Sequence, residues 1–542
     1  MKKMAELERK LQKNDRHQAV LYLFCNFTAL MLVTAYSAMM QSVTVQTVFP
    51  EGGDSRKQMY MVFGLTLFGC VVFTLYASSL FFRKKSRQLG ILMALGASAE
   101  KLAPGLFREV LFLSCVSGAA GTAAGVPFVY LLWNLFRILI VDSEEMKLIL
   151  DWEFVWIPVL LLIFTVLCVC LMAYGYLKRT DIISTVQEEH KNELAKNWGR
   201  WCGPVGIVLT AAGAVLGYFS PQIYMKTAKA YPPDWLNGIY FIALAGLYLV
   251  MLHTVVHGWR FGKKNRYKNL IARSMMKFQG RQTVNNLLVI SVLIAGGVFA
   301  LFYIPALGSS VFLTAENLEY DYSGAWRTDQ QMLTEEEIRK KAETYGILLK
   351  DWKEEEYVSL GMGSRVETER NGKLYLEYQE FASEGRFISE TAFASITGNS
   401  VLPTYAVFFM MFIFASMVCF ASALVIGYTR CRTVAVLNRY VFEDLKRFGA
   451  SPGFLCREVR NQCGKVFQIP FLTGSSVMFL FFILIFYAND GRYTSSEFLA
   501  LFLCILILAV LGGILYGIYQ KTLNTVLREL KVGKVTEIRK AK

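Results

Sequence analysis

Residues 445–459 read Leu-Lys-Arg-Phe-Gly-Ala-Ser-Pro-Gly-Phe-Leu-Cys-Arg-Glu-Val, and a related pattern occurs 353 positions earlier. There Leu95-Gly96-Ala97-Ser98 is followed by Arg108-Glu109-Val110. Each copy follows an apolar run that ends in a basic cluster, and each precedes another apolar run. The repetition predicts two similar bundles of membrane helices, with equivalent turns on one face of the membrane.

Apolar residues dominate the chain, which has 542 residues, is 54% hydrophobic and has a mean hydropathy of +0.38. They gather into ten runs of about 20 residues, the length that a helix needs to cross a bilayer. The runs cover roughly residues 17–42, 59–82, 110–137, 153–177, 204–219, 238–257, 284–308, 403–427, 466–488 and 497–520. We therefore predict an all-α polytopic membrane protein with about ten transmembrane helices.

The net charge of +15 is distributed as the positive-inside rule requires. Forty of the 57 Lys and Arg residues fall in the segments that are cytoplasmic if the N-terminus is inside, and the four short outer loops carry six. This asymmetry predicts a membrane protein with both termini cytoplasmic. It also explains the basic surplus without nucleic acid as a partner.

A second repeated pattern closes each bundle. Residues 174–180 and 516–522 both read Tyr-Gly-x-x-x-basic-Thr. We therefore predict a 4+2+4 arrangement of parallel repeats. The predicted divisions are a cytoplasmic N-terminal segment (1–16), a first four-helix unit (17–180), two linking helices with their flanks (181–283), helix 7 (284–308), an extracellular domain (309–402), helices 8–10 of the second unit (403–522) and a cytoplasmic tail (523–542).

The segment between helices 7 and 8 predicts a small α+β domain. Thr334 and Glu337 form a capping box at the start of a short helix. Asn371-Gly372 lies between two short β-prone runs, as in a hairpin with a type I′ turn. The segment has 18 acidic and 10 basic residues. Its candidate ligand-binding residues are the aromatic side chains Tyr320, Tyr322, Trp326, Trp352 and Tyr375.

Each Gly-Ala-Ser site combines a residue suited to a tight turn with one suited to capping the next helix. Two interpretations follow: a cytoplasmic coupling helix that contacts a separate motor, or a plain turn back into the membrane. Duplication and the basic approach favour coupling. The candidate coupling residues are Arg83, Lys84, Arg87, Gly96, Ala97, Ser98, Arg430, Arg439, Gly449, Ala450 and Ser451.

At these residues the sequence resembles the FtsX-like permeases of ABC transporters, of the bacitracin-export type. The segment Phe387-Ile388-Ser389-Glu390-Thr391 also looks like that family. The resemblance implies two FtsX-like units and a cytoplasmic ABC ATPase, expected as a dimer, that binds ATP and Mg. It also implies a membrane sensor histidine kinase as a further partner, and resistance to peptides that bind cell-wall lipid intermediates.

The chain has no nucleotide-binding motif of its own, because no Gly-x4-Gly-Lys-Ser/Thr sequence occurs in it. We expect no cofactor, no metal and no catalytic residue in this chain. A rival interpretation is a membrane metalloenzyme, since His253 and His257 share one helix face. Gly118, Gly121 and Gly125 form a small-residue face that predicts close helix packing, with a lipid or substrate groove as the alternative.

Together these features predict the membrane subunit of an ABC transporter. Its substrate is a peptide antibiotic, the lipid complex of that peptide, or another envelope component. The main alternative is a signalling scaffold that detects the ligand and reports to a histidine kinase with little transport. Besides proteins, its partners are the membrane lipids.

Overall fold

The computed structural model describes most of the helical part of the chain and three strands. The described residues are 2–42, 99–136, 148, 150, 152–179, 198–228, 233–259, 274–277, 280–317, 322–327, 336, 337, 340, 352–360, 382–390, 401–437, 439–490 and 495–530, with scattered positions between 60 and 93.

Eleven helices organise this part of the chain. They are α1 (Lys2–Met40), α2 (Val62–Ser79), α3 (Ala99–Phe136), α4 (Trp156–Arg179), α5 (Cys202–Ala228), α6 (Tyr240–Val256), α7 (Gly280–Asn317), α8 (Val401–Leu437), α9 (Arg439–Arg447), α10 (Pro452–Asp490) and α11 (Ser495–Glu529). Within the described residues, ten of them, all except α9, are long and apolar enough to cross a membrane. The prediction of about ten transmembrane helices is confirmed.

The small-residue face of α3 packs directly against α1. A Cβ atom on Gly121 would lie 2.6 Å from the carbonyl oxygen of Phe27, and one on Gly125 would lie 2.6 Å from the Cβ of Thr34. Nearby, the amide of Asn26 donates a hydrogen bond of 2.7 Å to the Ser117 hydroxyl. The two backbones approach so closely only because glycine has no side chain, which confirms helix packing as the role of this face.

The second predicted unit is built around α7, which packs against α8, α10 and α11. One buried hydrophobic cluster draws side chains from all four helices and from α9. A Cβ on Gly474 would lie 2.7 Å from the carbonyl oxygen of Ser291, so α7 and α10 also meet at a glycine. In both predicted units, therefore, the first helix packs against the third.

The two units meet through α1 and α8. The rings of Tyr36 and Phe414 are stacked, with centroids 5.5 Å apart and planes inclined by 7°. Phe63 meets the Tyr36 ring edge-on at 4.9 Å. Because these rings are buried in one cluster that also includes Ala300 of α7, the units share part of their core.

A glycine seam that the sequence analysis did not identify joins α5 and α6. A Cβ on Gly213 would lie 2.3 Å from the backbone nitrogen of Ala243, and one on Gly246 would lie 2.4 Å from that of Thr210. Small residues that recur on one face of an apolar helix indicate close helix packing, and this signal could have revealed the seam. It makes α5 and α6 a tightly packed hairpin.

Three antiparallel strands lie in sequence between α7 and α8. They are β1 (Tyr322–Arg327), β2 (Trp352–Leu360) and β3 (Ala382–Glu390), in the order β1-β3-β2. The predicted hairpin at Asn371-Gly372 lies outside the described residues, as does Thr334 of the capping box, although Glu336, Glu337 and Lys340 are helical. Helix α8 is long and apolar enough to cross a membrane once, and it separates the sheet from the α9 turn in the chain. We call the two ends of the helices the sheet side and the basic side.

Candidate functional site

The candidate site lies where α8, α10 and α11 extend beyond the bilayer. These helices have 37, 39 and 35 residues. At a rise of about 1.5 Å per residue each exceeds 50 Å, whereas the hydrocarbon core is about 30 Å thick. We call their basic-side ends, residues 428–437, 452–465 and 521–530, the stalk. The short helix α9 connects two of its three members.

Helix α9 ends in a Schellman motif centred on Gly449. The backbone φ of Gly449 is +82°, a conformation that L side chains rarely adopt. The N–H of Gly449 donates to the carbonyl of Lys446 at 3.0 Å, and the N–H of Ala450 donates to that of Leu445 at 2.9 Å. No atom lies within 4 Å of a Cβ placed on Gly449, so the backbone conformation, not space, requires glycine here.

The next helix begins as the sequence predicts. The N–H of Phe454 donates to the Ser451 hydroxyl at 3.3 Å, so Ser451 caps α10. Pro452 is the first helical residue, where its missing N–H costs nothing. The chain therefore passes from one helix to the next within four residues, 448–451, between two defined helix ends.

Helix α9 presents apolar side chains to two environments. Phe442 is only 1% exposed and lies in the hydrophobic cluster of the second unit. Phe448, at the tip of the turn, is 88% exposed, and Tyr440 is half exposed. Phe442 therefore fixes α9 to the second unit, whereas Phe448 lies on the surface of the turn.

Arg430 does not lie on this exposed surface. It is 3% exposed, and its guanidinium donates to the Gln282 side-chain oxygen at 2.8 Å and to the Thr283 hydroxyl at 2.6 Å. The prediction grouped Arg430 with Arg439, which is exposed and forms an ion pair with Glu443 at 2.8 Å. The structure separates the two: Arg430 connects α8 to α7, and Arg439 belongs to the outer face of α9.

Two further contacts connect α9 and the end of α8 to the end of α11. The guanidinium of Arg432 lies 2.7 Å from the Glu529 carboxylate. The ammonium of Lys446 donates to the backbone carbonyl of Leu530 at 3.0 Å. The sequence analysis did not identify Lys446, Glu529 or Leu530, because these contacts join segments about 85 to 100 residues apart.

The first Gly-Ala-Ser site lies almost entirely outside the described residues. Its six candidate coupling residues all lie outside them: Arg83, Lys84, Arg87, Gly96, Ala97 and Ser98. Nearby, Lys85 forms an ion pair of 2.6 Å with Glu109 of α3. A basic residue before this site is thus joined to the helix that follows it.

The candidate ligand-binding aromatics fall on the sheet or outside the described part. In the strand register, Tyr322 of β1 and Trp352 of β2 both pair with Glu390 of β3. The register therefore brings these two positions into one row across the sheet. Trp326 pairs with Arg386, four residues along the same strand. Tyr320 and Tyr375 lie outside the described residues.

The histidine pair of α6 has an aromatic and thiol environment. The Nδ1 of His253 lies 3.5 Å from the Cys202 sulfur, and its ring centroid lies 4.6 Å from that of Trp259. In the described part of the chain, no group of three His, Cys, Asp or Glu residues is arranged to hold a metal ion. The geometry thus gives the metalloenzyme interpretation no support.

Comparison with known proteins agrees with this architecture. Residues 60–181, which include the first Gly-Ala-Ser site, match the FtsX-like permease C-terminal family. The resemblance to FtsX-like permeases is confirmed. The chain is also 25% identical to the uncharacterized ABC transporter permease YvcS of Bacillus subtilis (strain 168), over 43% of this chain and 37% of that protein.

A second relative is the bacitracin export permease protein BceB of the same organism, which is 26% identical over 40% of this chain and 33% of that protein. The matched regions thus span about a third of the length of each relative. Ten membrane-length apolar helices among the described residues, together with an FtsX-like permease domain, identify a multi-pass membrane protein.

Proposed function

We propose that this chain is the membrane subunit of an ABC transporter, and that it transmits the work of a separate ATPase across the membrane. The observation that carries the proposal is the turn at residues 448–451. It exposes Phe448 between two capped helix ends, and its neighbours connect it to three membrane helices, α8, α10 and α11.

The contacts of the stalk define a mechanical route. A displacement of α9 acts on α8 and α10 through the chain and on α11 through Lys446. Arg432 couples α8 to α11, and Arg430 couples α8 to α7. Because α7 and α8 lead directly to the sheet, movement on the basic side reaches the sheet side through continuous helices. Packed helices transmit such displacements because protein interiors are poorly compressible.

The energy for this movement comes from a partner. The 542 residues contain no phosphate-binding loop, so ATP and Mg bind to a cytoplasmic ABC ATPase, and a dimeric ATPase suits two coupling turns. Phe448 and the charged outer face of α9 supply the kind of apolar centre and polar rim that protein interfaces use. The basic side is then cytoplasmic, as the distribution of Lys and Arg indicates.

The proposed substrate is an envelope-active peptide antibiotic, its lipid complex or a related envelope component. One relative is named a bacitracin export permease. The segment between α7 and α8 has an excess of acidic residues, which attracts cationic peptides, and its aromatics at positions 322, 326 and 352 provide apolar contact. Replacing residues 318–400 by a flexible linker should abolish peptide resistance and leave basal ATP hydrolysis. Full resistance in this variant would place recognition in the membrane helices.

A ligand-sensing scaffold that reports to a membrane histidine kinase is the second candidate function. The connection between the sheet and the stalk favours signalling as much as transport, because a signal can travel along α7 and α8 in either direction. Resistance that persists after the kinase is deleted, with the transporter expressed from an independent promoter, identifies transport. Loss of resistance under the same conditions identifies signalling.

Purification from native membranes in mild detergent tests the main proposal. We expect Mg-dependent ATP hydrolysis to accompany this chain and to disappear when the phosphate-binding lysine of the co-purified ATPase is substituted. A preparation with neither hydrolysis nor a chain of the ATPase class would contradict the proposal.

Cysteine labelling on a cysteine-free background tests the orientation separately. An impermeant reagent added outside should label Asn371→Cys and should not label Lys84→Cys. The reverse labelling would invert the topology and remove the proposed contact between α9 and a cytoplasmic ATPase.

A further inference from the structure

An apolar groove of about 590 Å³ lies between the α5–α6 hairpin and α10, apart from the stalk. Aliphatic side chains form most of its walls. The lining residues are Ile207, Thr210, Ala211, Ala214, Val215, Leu247, Val250, Trp259, Leu472, Thr473, Ser476, Val477, Leu480, Phe481 and Leu484. All except Trp259 belong to membrane-spanning segments, so the groove opens towards lipid.

The groove exists because the hairpin contacts the second unit at two separate levels. Near the basic side, α6 and α7 share a buried cluster against which Ile469 of α10 packs. Near the sheet side, the rings of Tyr218 and Tyr240 meet Phe481 of α10 edge-on, at 6.2 and 6.3 Å. The groove lies beside these contacts, and Phe481 also lines it.

The groove is about as long as one leaflet of a bilayer is thick. Its lining runs from Leu472 to Leu484 on α10, which is about 18 Å at 1.5 Å per residue. Half of a hydrocarbon core of about 30 Å is about 15 Å. A lipid chain therefore fits the length of the groove, whereas a partner helix that crosses the membrane needs a seat about twice as long.

Two of the three hydroxyl groups in the walls are hydrogen-bonded within the protein. Thr210 donates to the carbonyl of Gly206 at 2.8 Å, and Thr473 donates to that of Ile469 at 2.8 Å. These two side chains consequently offer their methyl groups to an occupant. The groove is thus suited to a hydrocarbon chain more than to a polar peptide.

Trp259 lines the groove and follows the basic-side end of α6. Gly258, with a φ of 67°, turns the chain back at the end of α6, and the indole N–H of Trp259 donates to the Thr254 hydroxyl at 2.9 Å. The exposed cation Arg200 stands two residues before α5 at the same membrane face. Residues 258–283, which connect α6 to α7 in the sequence, include eight Lys and Arg residues. A tryptophan beside positive charge is the environment of an anionic lipid headgroup.

We propose that this groove binds one acyl chain of an anionic phospholipid of the basic-side leaflet, with the headgroup beside Trp259 and Arg200. The bound lipid fills the gap between the hairpin and α10 and joins the linking helices to the second unit. This assignment does not depend on the ATPase partner, so it stands or falls separately from the proposed transport function.

A photo-crosslinking experiment tests the proposal on the full chain. Benzoylphenylalanine replaces Leu472 in the groove. In a matched control it replaces Ile514 of α11. Both residues are more than half exposed, and each lies six residues from the basic-side end of its apolar run. Both proteins are reconstituted in vesicles of phosphatidylglycerol and phosphatidylcholine and irradiated. Mass spectrometry then gives the ratio of the two lipid adducts.

We expect phosphatidylglycerol adducts at position 472 to be enriched about fivefold over the bulk composition, the factor expected from one basic residue at the membrane surface. Adducts at position 514 should follow the bulk composition. Ala214→Trp, which fills the groove, should remove the enrichment, whereas Ala123→Trp on the lipid-exposed face of α3 should not. Arg200→Gln should reduce the enrichment to near the bulk ratio.

Equal ratios at positions 472 and 514 would overturn the site. A crosslink from position 472 to a second protein chain in native membranes would also overturn it, because the groove would then be a helix-docking surface. Enrichment that survives Arg200→Gln would overturn the headgroup assignment.

Discussion

Arg432 of α8 forms an ion pair with Glu529, at the end of α11, with 2.7 Å between the guanidinium nitrogen and the carboxylate oxygen. The side chains are 23% and 27% exposed. This pair joins the helix that leads into the α9 turn to the last membrane helix. It therefore connects α8, which leads into the proposed motor contact, to α11, which does not adjoin α9 in the chain.

Breaking this pair should impair coupling more than stability. Arg432→Gln and Glu529→Gln should each lower the free energy of unfolding by no more than about 1 kcal/mol, because partly exposed ion pairs contribute little. Each should reduce the ligand-stimulated part of ATP hydrolysis. The exchanged variant R432E/E529R should recover much of it, as a double-mutant cycle would show. Equal losses in the single and the exchanged variants would show that the pair itself is not the connection.

Phe442 of α9 and Phe448, the residue that directly follows α9, allow a matched comparison. Phe448→Ala should change the free energy of unfolding by less than about 0.5 kcal/mol, because the side chain is exposed. It should nevertheless weaken retention of the ATPase during purification. Phe442→Ala should cost about 3–5 kcal/mol, because it removes a buried ring. Unchanged ATPase retention in Phe448→Ala would remove this residue from the interface.

The glycine contacts predict where the membrane helices tolerate side chains. Gly121→Leu should lower the thermal stability of the purified protein severely, because its Cβ would lie 2.6 Å from the backbone oxygen of Phe27. Gly513→Leu should be tolerated, since no atom lies within 4 Å of that position. Size-exclusion recovery after heating measures both. Similar losses in the two variants would contradict the close packing of α1 on α3.

Hydrophobic run length and charge were sufficient to predict the membrane helices, because a bilayer requires about 20 apolar residues whatever lies around them. The close packing of Gly121 was predictable for a similar reason, since small residues at helical spacing have few other uses in apolar helices. The seam at Gly213 has the same signal and was missed. The strand β2 was also missed, because the acidic run Glu354–Glu356 does not resemble a strand.

The turn at the candidate site was predictable and its surroundings were not. The roles of Gly449 and Ser451 follow from local backbone chemistry, which the sequence shows directly. The burial of Arg430 depends on Gln282 and Thr283, which precede it by almost 150 residues. No local pattern distinguishes an arginine that faces a partner from one that joins two helices. The apolar groove likewise lies between the α5–α6 hairpin and α10, which are distant in the sequence.

The central claim is that the α9 turn transmits the work of an ATPase, and Gly449 tests it most directly. Gly449→Asn keeps a residue that adopts positive φ with little strain, whereas Gly449→Val introduces a β-branched residue that resists it, at a cost of about 1–2 kcal/mol or more. The measurement is the rate of ATP hydrolysis by the purified complex, at equal amounts of bound ATPase. We predict a near wild-type rate for Gly449→Asn and a clearly reduced or uncoupled rate for Gly449→Val. Equal rates in wild type and Gly449→Val, with the ATPase still bound, would contradict the account.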